Sequence, residues 1–314
     1  MISTDKVFEQ LKSFEKSGKL AGSWLVTGPK GTGKAALLKR FIAYLLTGEE
    51  RQRDFYADLK WISRSLTEEE KKNVAQALSS GRELDVSMED RAKKSEITID
   101  DIRDGISFLS LTSANENWRV LVIDTADDMN ENAANALLKL LEEPPPHSVI
   151  FLISNNLGKL LPTIRSRCRQ ITLQPLSNVQ MKAFIMENYP EANVDSLLPF
   201  FEGSIGKTKE FFENDGVNLY AQVLQLIENP SNIEDIFALA DKVAKNEQMY
   251  ALLKDLLLFC ILQQVKNQNT PETKRNALIK FWDEINKLFY DTQNLYLDKK
   301  SVIIEILLKA GKIK

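Results

Sequence analysis

The sequence predicts an α/β domain built on a parallel sheet, followed by two domains made of helices alone. Short apolar segments alternate with helical segments up to about residue 175, and strands buried on both faces are typical of such uninterrupted apolar runs. After Pro175 the strand pattern ends, and apolar residues recur at helical spacing from about residue 215. A chain of 314 residues is long enough for the three predicted domains, residues 1–175, 176–213 and 214–314.

The first domain supplies four predicted strands and three predicted helices. The strands are Ser23–Thr27, Arg119–Asp124, Ser148–Ser154 and Gln170–Leu173. The helices are Ala35–Leu46, Ile99–Leu109 and Glu131–Glu143, and three prolines from Pro144 onwards stop the last of them. In the charged stretch between them we expect a further helix at Thr67–Leu78 and a surface loop at Gly81–Ser95.

The remainder of the chain is predicted to be helical. Three short helices are expected near 177–189, 193–202 and 206–213. A dense apolar run between Leu252 and Leu262 predicts a helix buried in a bundle or against partners.

Composition excludes several classes of function. Lys and Arg number 41 and Asp and Glu number 44, so the net charge of −3 lacks the basic excess typical of proteins that hold DNA alone. Two cysteines and one histidine exclude a four-ligand Cys/His zinc site and a disulfide scaffold. His147 follows three prolines, so we interpret it as a solvated loop residue. We find no signal peptide or membrane span, and therefore expect a cytoplasmic protein.

A glycine-rich segment between the first strand and the first predicted helix has the spacing of a P-loop. It comprises Gly28, Pro29, Lys30, Gly31, Thr32, Gly33, Lys34 and Ala35. The glycines of such a loop let backbone N–H groups surround phosphate oxygens, and the helix N-terminus adds partial positive charge. We expect Lys34 to reach the outer phosphates of a nucleotide.

Two positions of this nucleotide site lack the usual residue. Ala35 stands where a Ser or Thr hydroxyl would hold Mg²⁺. Asp124 ends a buried strand as a Walker B aspartate does, but the next residue is Thr125 where an active AAA+ ATPase has a glutamate. We therefore expect a site that binds nucleotide without turnover or has lost its ligand. The sequence alone leaves ATP binding open, and Asp124 could merely cap the following segment.

An ordered series of motifs resembles the bacterial clamp-loader ATPases of DNA polymerase III, most closely their delta-prime subunits. The matching segments are Ile102-Arg103, Val122–Asn130, Ala133–Lys139, Leu141–Pro145 and Leu161–Cys168. The resemblance is strong over about residues 20–175 and weaker towards the C-terminus. It implies an AAA+ domain, a small helical lid domain and a helical collar domain that joins five subunits in a ring.

The resemblance also implies roles for single residues. Ser166-Arg167-Cys168 matches the family's Ser-Arg-Cys triplet, so Arg167 is expected to be an arginine finger that completes the ATP site of a neighbouring subunit; the alternative is an arginine paired with a local carboxylate. Lys207 stands where the sensor-2 helix often has Arg, and Ser154-Asn155 matches the sensor-1 position. Thr47–Lys60 replaces the family's four-cysteine module, so we expect no zinc.

The function implied is that of a delta-prime-type subunit with little or no ATPase of its own. Its partners would be the gamma/tau and delta subunits of a hetero-pentamer, and it would reach the sliding clamp and primed DNA through that complex. The complex is a component of the DNA polymerase holoenzyme. Two alternatives remain open at this stage. One is a gamma-like subunit that hydrolyses ATP itself, and the other is a P-loop kinase for a small molecule, which would not need Arg167.

Overall fold

The computed structural model describes residues 3–53, 55–66, 70, 95–110, 118–192, 195–228, 233–295, 297–311 and 313. The chain folds as two compact units, Met1–Gln180 and Met181–Lys314. The division of residues 176–314 into a lid and a collar stays a prediction. The helix predicted at Thr67–Leu78 and the loop predicted at Gly81–Ser95 lie, apart from residues 70 and 95, outside the described residues.

The first unit contains a sheet of five parallel strands. They are β1 (Gly22–Thr27), β2 (Leu59–Ile62), β3 (Arg119–Ile123), β4 (Ser148–Ser154) and β5 (Arg169–Thr172). Their order is β2-β3-β4-β1-β5, so β1 lies between β4 and β5. The register places Gly22 opposite Val149 and Trp24 opposite Arg169. The predicted parallel α/β fold is confirmed.

Six α-helices begin in the described residues of this unit. They are α1 (Ser3–Lys16), α2 (Lys34–Thr47), α3 (Ile99–Ser110), α4 (Glu131–Glu142), α5 (Pro162–Arg167) and α6 (Asn178–Asn188).

The sequence of α4 explains where this helix begins and which of its faces is buried. The side chain of Asn130 accepts a hydrogen bond from the backbone N–H of Ala133 at 2.9 Å and caps the first turn. Leu137 and Leu141, four residues apart, then lie buried on one face.

Helices cover both faces of the sheet, because alternate residues of a strand point to opposite faces. In β3, Val120 and Val122 join a core that includes Phe8 and Phe41 of α1 and α2. Their neighbours in β3 join a second core with buried residues of α3, α4 and α5, namely Leu121, Ile123, Ile102, Leu137 and Ile164. The sheet therefore has no solvated face along its central strands.

Three elements of this unit were missed by the sequence prediction, and one was displaced. The helices α1 and α5 and the strand β2 were not predicted. Only Ile62 is buried in β2, so this edge strand lacks the continuous apolar run by which the central strands were found. The strand β5 begins and ends one residue before the predicted Gln170–Leu173, although Leu173 N still donates to Thr27 O at 2.8 Å.

The second unit is helical throughout its described residues. After α6 and a short 3₁₀ turn come α7 (Leu198–Phe201), α8 (Ile205–Glu213), α9 (Gly216–Glu228), α10 (Ile233–Ala244), α11 (Glu247–Lys266), α12 (Glu272–Leu295) and α13 (Lys299–Ala310). The apolar run of α11 is buried as predicted except at Leu262, which is 41% exposed. Among the described helices none combines the length and apolarity needed to cross a membrane.

Candidate functional site

The loop between β1 and α2 has a backbone that only glycine adopts at its first position. Gly28 has φ +144°, and a Cβ there would lie 2.3 Å from the carbonyl oxygen of Leu173. Gly33 has φ +90° and directly precedes the first residue of α2. These conformations are strained for residues with a side chain, so the loop's path follows from its glycines. The expected sequence of strand, glycine loop and helix is present.

The side chain of Lys34 folds back onto this loop. Its Nζ donates hydrogen bonds to the carbonyl oxygens of Gly28 at 2.7 Å and Pro29 at 2.8 Å, and the residue is 5% exposed. Burial lowers the pKa of Lys34 to about 8, although the negative charges of Asp127 and Asp124 oppose the shift. A nucleotide phosphate that recruits this ammonium must therefore displace it from two carbonyl groups.

The carboxylate of Asp124 lies directly after β3, as the sequence predicted, and makes a hydrogen bond to the neighbouring strand. The indole Nε1 of Trp61, in β2, donates a hydrogen bond to its Oδ2 at 3.3 Å. Burial raises the pKa of Asp124, opposed by this bond and by the charge of Lys39. The next residue, Thr125, has the left-handed backbone conformation (φ +60°), and its hydroxyl lies 3.5 Å from Asp124 Oδ1.

These residues do not fit the Mg²⁺ ion that a hydrolysing P-loop site holds. The ion takes oxygen ligands, and Ala35 offers no oxygen in its side chain. The nearby hydroxyl of Thr32 donates to the carbonyl oxygen of Pro29 at 2.9 Å. Asp124 is engaged by Trp61. Thr125 provides no carboxylate to polarise water.

A cleft of about 720 Å³ opens beside Asp124 at the carboxyl ends of β2 and β3. Its charged lining is mostly paired across the cleft, with Lys60 bridging to Asp104 and Arg64 lying 3.1 Å from Asp128. The Nζ of Lys39 lies 5.5 Å from the centroid of the Trp61 ring. This cleft was not predicted, because residues of β2 line it and that strand was not predicted.

Asp127 joins the turn after β3 to the end of β4. Its carboxylate accepts hydrogen bonds from the hydroxyl of Ser154 at 2.7 Å and from the backbone N–H groups of Asn155 at 2.5 Å and Asn156 at 3.2 Å. The sequence-predicted sensor-1 residues are thus held by an aspartate to which the sequence assigned no role. Its position four residues after the end of β3 could have indicated such a contact.

Arg167, the predicted arginine finger, is the last residue of α5. Its Nε donates to Oε1 of Glu142 at 2.7 Å, its Nη2 bridges to the same oxygen, and its Nη1 donates to the carbonyl oxygen of Thr163 at 3.0 Å. The side chain is 31% exposed. In the isolated chain the guanidinium therefore makes a solvated ion pair. An arginine paired with a local carboxylate was the alternative to an arginine finger that the sequence left open.

The next residue, Cys168, is buried in the core shared with α4 and α5. Burial raises the pKa of the Cys168 thiol to about 12. A thiol of this kind is inert at neutral pH, so Cys168 serves as a residue of the core. His147 is exposed in the loop before β4, as predicted.

Lys207, the predicted sensor-2 residue, belongs to the second unit. Its backbone N–H donates to the capping hydroxyl of Ser204 at 3.1 Å, in the first turn of α8. Its Nζ lies 4.1 Å from the centroid of the buried Phe200 ring, a cation–π contact. Its role in nucleotide sensing stays a prediction.

The fold and the site together define an AAA+ P-loop domain whose metal-binding residues are incomplete. The family described as "DNA polymerase III, delta subunit" matches residues 3–177. The chain therefore belongs to this family, within the clamp-loader proteins of DNA polymerase III.

Similar proteins carry related names. The chain is 32% identical to the DNA polymerase III subunit delta′ of Pseudomonas aeruginosa over 189 residues, which is 59% of this chain and 53% of that protein. It is 28% identical to subunit delta′ of Bacillus subtilis, with 71% of this chain and 64% of that protein covered. It is 25% identical to subunit gamma of Buchnera aphidicola, with 79% and 65% covered. The matches thus span between half and two thirds of each relative's length.

The fold is also found in a solved structure. A gamma subunit-related protein of DNA polymerase III from Thermotoga maritima superposes with a TM-score of 0.58 at 20% identity. The match covers 98% of this chain and 99% of that protein. At this identity the likeness supports the fold alone.

Proposed function

We propose that the chain is a delta-prime-type subunit of the clamp loader, which lends Arg167 to ATP bound by an adjacent subunit. The observation that carries the proposal is the contrast between two sites. The chain's own site lacks a metal-binding hydroxyl at Ala35, and its acidic residue Asp124 accepts a hydrogen bond from Trp61. Arg167, in contrast, lies at the surface in a solvated ion pair with Glu142 and a hydrogen bond to Thr163. A guanidinium in that position can be offered to another molecule's phosphate.

The P-loop of this chain, in this proposal, binds ATP weakly and does not hydrolyse it. Binding requires Lys34 to give up its contacts with two loop carbonyls. Hydrolysis would further require a metal ion and a water-polarising group, and Ala35 and Thr125 supply neither. Because positioning and charge stabilisation account for most of phosphoryl-transfer catalysis, their loss should lower turnover by several orders of magnitude.

The proposed partners follow from the relatives. They are the gamma/tau and delta subunits of a hetero-pentamer in the cytoplasm. The ring would open the sliding clamp and place it on primed DNA. As a subunit of this assembly the chain is part of the DNA polymerase holoenzyme without catalysing the reaction itself. Its lid and collar helices pack against neighbouring subunits. The net charge of −3 is consistent with DNA contacts that are local or shared.

A gamma-like subunit that hydrolyses ATP is the second candidate. It is favoured by the match to the Buchnera gamma subunit, which covers more of the chain than the match to the Pseudomonas delta′ subunit. ATP turnover by the isolated chain, abolished by Lys34→Ala, would support it. The kinase alternative has no support, because we identify no acceptor site in the described residues.

The test is reconstitution of the pentamer with wild-type chain, Arg167→Ala or Arg165→Ala. Arg165 lies on the same short helix and is exposed, so its variant controls for loss of surface charge. We expect Arg167→Ala alone to lower the ATPase and clamp-loading rates, by about 10³-fold at the one site it serves if it acts as a finger. Equal rates for the two variants in assembled complexes would reject the proposed role.

A further inference from the structure

The contacts of Arg167 occupy all three nitrogens of its guanidinium. Nε and Nη2 are directed at one carboxylate oxygen of Glu142, and Nη1 at the carbonyl oxygen of Thr163 one turn earlier in α5. These contacts use three of the five N–H groups of the guanidinium. For Nε and Nη2 to face a neighbour's γ-phosphate, the guanidinium would have to leave Glu142.

The two partners are held in place by the core beneath them. Glu142 is the last residue of α4 and follows the buried Leu141, while Arg167 ends α5 and precedes the buried Cys168. Leu141, Cys168 and the buried Ile164 of α5 belong to one apolar cluster. The ion pair thus joins two helix ends whose backbones are fixed by packing, so the carboxylate presents a defined site to the guanidinium.

Without Arg167, the position of Glu142 would be unfavourable for a negative charge. Glu142 and Glu143 stand at the C-terminal end of α4, where the helix dipole disfavours negative charge. The guanidinium of Arg167 compensates the charge of Glu142 there. Glu142 therefore gains its favourable contact from Arg167 and not from its own helix.

The strength of the pair suits reversible release. The side chains of Arg167 and Glu142 are 31% and 47% exposed, and exposed ion pairs of this kind shift an equilibrium by roughly 1.5- to 5-fold. A single carboxylate carries one charge, whereas a terminal phosphate carries more charge and more acceptor oxygens. A triphosphate can therefore displace Glu142, while ligands of lower charge compete less well.

We propose that Glu142 is a positioning residue that holds Arg167 away from the neighbouring nucleotide site until a triphosphate displaces it. This inference rests on the proposed function of Arg167. Its consequence is that Arg167 discriminates more strongly between ATP and ADP than it would without Glu142. ADP carries less charge than ATP and does not overcome the contact with Glu142.

The first test uses the isolated chain. The side-chain Nε–H of Arg167 is followed by NMR in wild type, Glu142→Gln and Glu143→Gln. We expect its hydrogen exchange with solvent to accelerate in Glu142→Gln and to stay unchanged in Glu143→Gln, whose exposed carboxylate neighbours the same helix end. Equal exchange in all three proteins would show that the pair does not form in solution and would overturn the inference.

The second test uses the reconstituted loader. For Glu142→Gln we expect the inhibition constant for ADP to fall by about 1.5- to 5-fold and the ATP concentration at half-maximal ATPase to fall less, so that the discrimination between the two nucleotides narrows. Glu143→Gln should match wild type. In the Arg167→Ala background Glu142→Gln should have no further effect, because a double-mutant cycle isolates the contact between the two side chains.

The outcomes separate the inference from the proposed function. If Arg167→Ala lowers the ATPase rate but Glu142→Gln behaves as Glu143→Gln does, the inference is wrong and the finger stands. If Glu142→Gln acts equally in the Arg167→Ala background, Glu142 acts directly on the nucleotide and the inference is again wrong. If Arg167→Ala has no effect, the proposed function fails and the inference fails with it.

Discussion

The indole Nε1 of Trp61 donates a hydrogen bond to Oδ2 of Asp124 at 3.3 Å, although the two residues lie 63 positions apart. The pairing of β2 with β3, which sets Trp61 opposite Val122, brings them together. The acidic residue at the end of β3 is thereby bound to the neighbouring strand. This contact makes Asp124 a part of the sheet edge as well as a residue of the nucleotide site.

Asp124→Asn should stabilise the chain. Burial raises the pKa of Asp124 above its ordinary value of 3.8, so its charged form is disfavoured in the folded state at neutral pH. The amide keeps an acceptor for Trp61. We expect a gain of no more than about 1 kcal/mol in the free energy of unfolding at pH 7, since the carboxylate is partly solvated. Urea denaturation measures it.

The gain from Asp124→Asn should shrink as the pH falls towards 3.8, where the carboxyl of the unfolded chain also takes up a proton. Asp128→Asn serves as a comparison, because it removes a carboxylate paired with Arg64 and should bring no gain. A loss of stability in Asp124→Asn at pH 7 would contradict the explanation.

Lys34 should make stability depend on pH in the alkaline range. Its folded-state pKa of about 8 lies below the ordinary 10.5, so the unfolded chain binds more protons between these values and stability rises with pH there. We expect wild type to gain about 1–2 kcal/mol relative to Lys34→Met between pH 8 and pH 10.5, after allowance for solvent screening.

Urea denaturation at several pH values gives this difference. Lys30→Met, which removes an exposed amine from the same loop, is the control and should follow the wild-type curve. If the curves of wild type and Lys34→Met stay parallel from pH 7 to pH 10.5, Lys34 is not buried as described.

Gly28→Ala should destabilise the chain more than Gly48→Ala. Both glycines have positive φ, but a Cβ at Gly28 meets the Leu173 carbonyl oxygen at 2.3 Å, whereas one at Gly48 has nothing within 4 Å. Each variant incurs about 1 kcal/mol or more of backbone strain. The steric clash should add about 1–3 kcal/mol for Gly28→Ala. Thermal and urea unfolding compare them, and equal losses would show that the loop moves away from Leu173 without cost.

Asp127→Ala should lower stability by about 2–3 kcal/mol, because it removes a charged acceptor from the buried Ser154 hydroxyl and from two backbone N–H groups. Asp128→Ala removes one partly exposed ion pair with Arg64 and should lose less than about 1 kcal/mol. Urea denaturation distinguishes them. Similar losses would mean that water replaces Asp127 at the end of β4.

The elements that could be predicted were those with a complete local signal. Ser148–Ser154 is buried along its whole length and apolar between its two terminal serines, and its predicted bounds are those of β4. Glu131–Glu142 has a capping asparagine before it and a proline soon after. The helix Ser3–Lys16 was missed despite Val7, Phe8 and Leu11 being buried, since charged and polar residues surround them. Its helical spacing could have found it.

The candidate site was predictable to the extent that it lies in one segment. The glycines and Lys34 are contiguous, and so the loop was found. The contacts that decide its chemistry join distant segments: Trp61 to Asp124 through β2, and Arg167 to Glu142 through the packing of α5 on α4. No local pattern specifies which of several carboxylates a given arginine meets, because that choice depends on tertiary packing.

Because Gly28 lies close to Leu173, this glycine has a packing role in the fold in addition to its place in the glycine loop. Leu173 directly follows the edge strand β5, whose first residue lies two positions after Arg167, and its N–H donates to Thr27. A side chain at position 28 would clash with the residue that follows β5. The need for glycine at this position therefore does not depend on a bound phosphate, and the glycine is expected to be required for folding even in a chain whose loop binds no nucleotide.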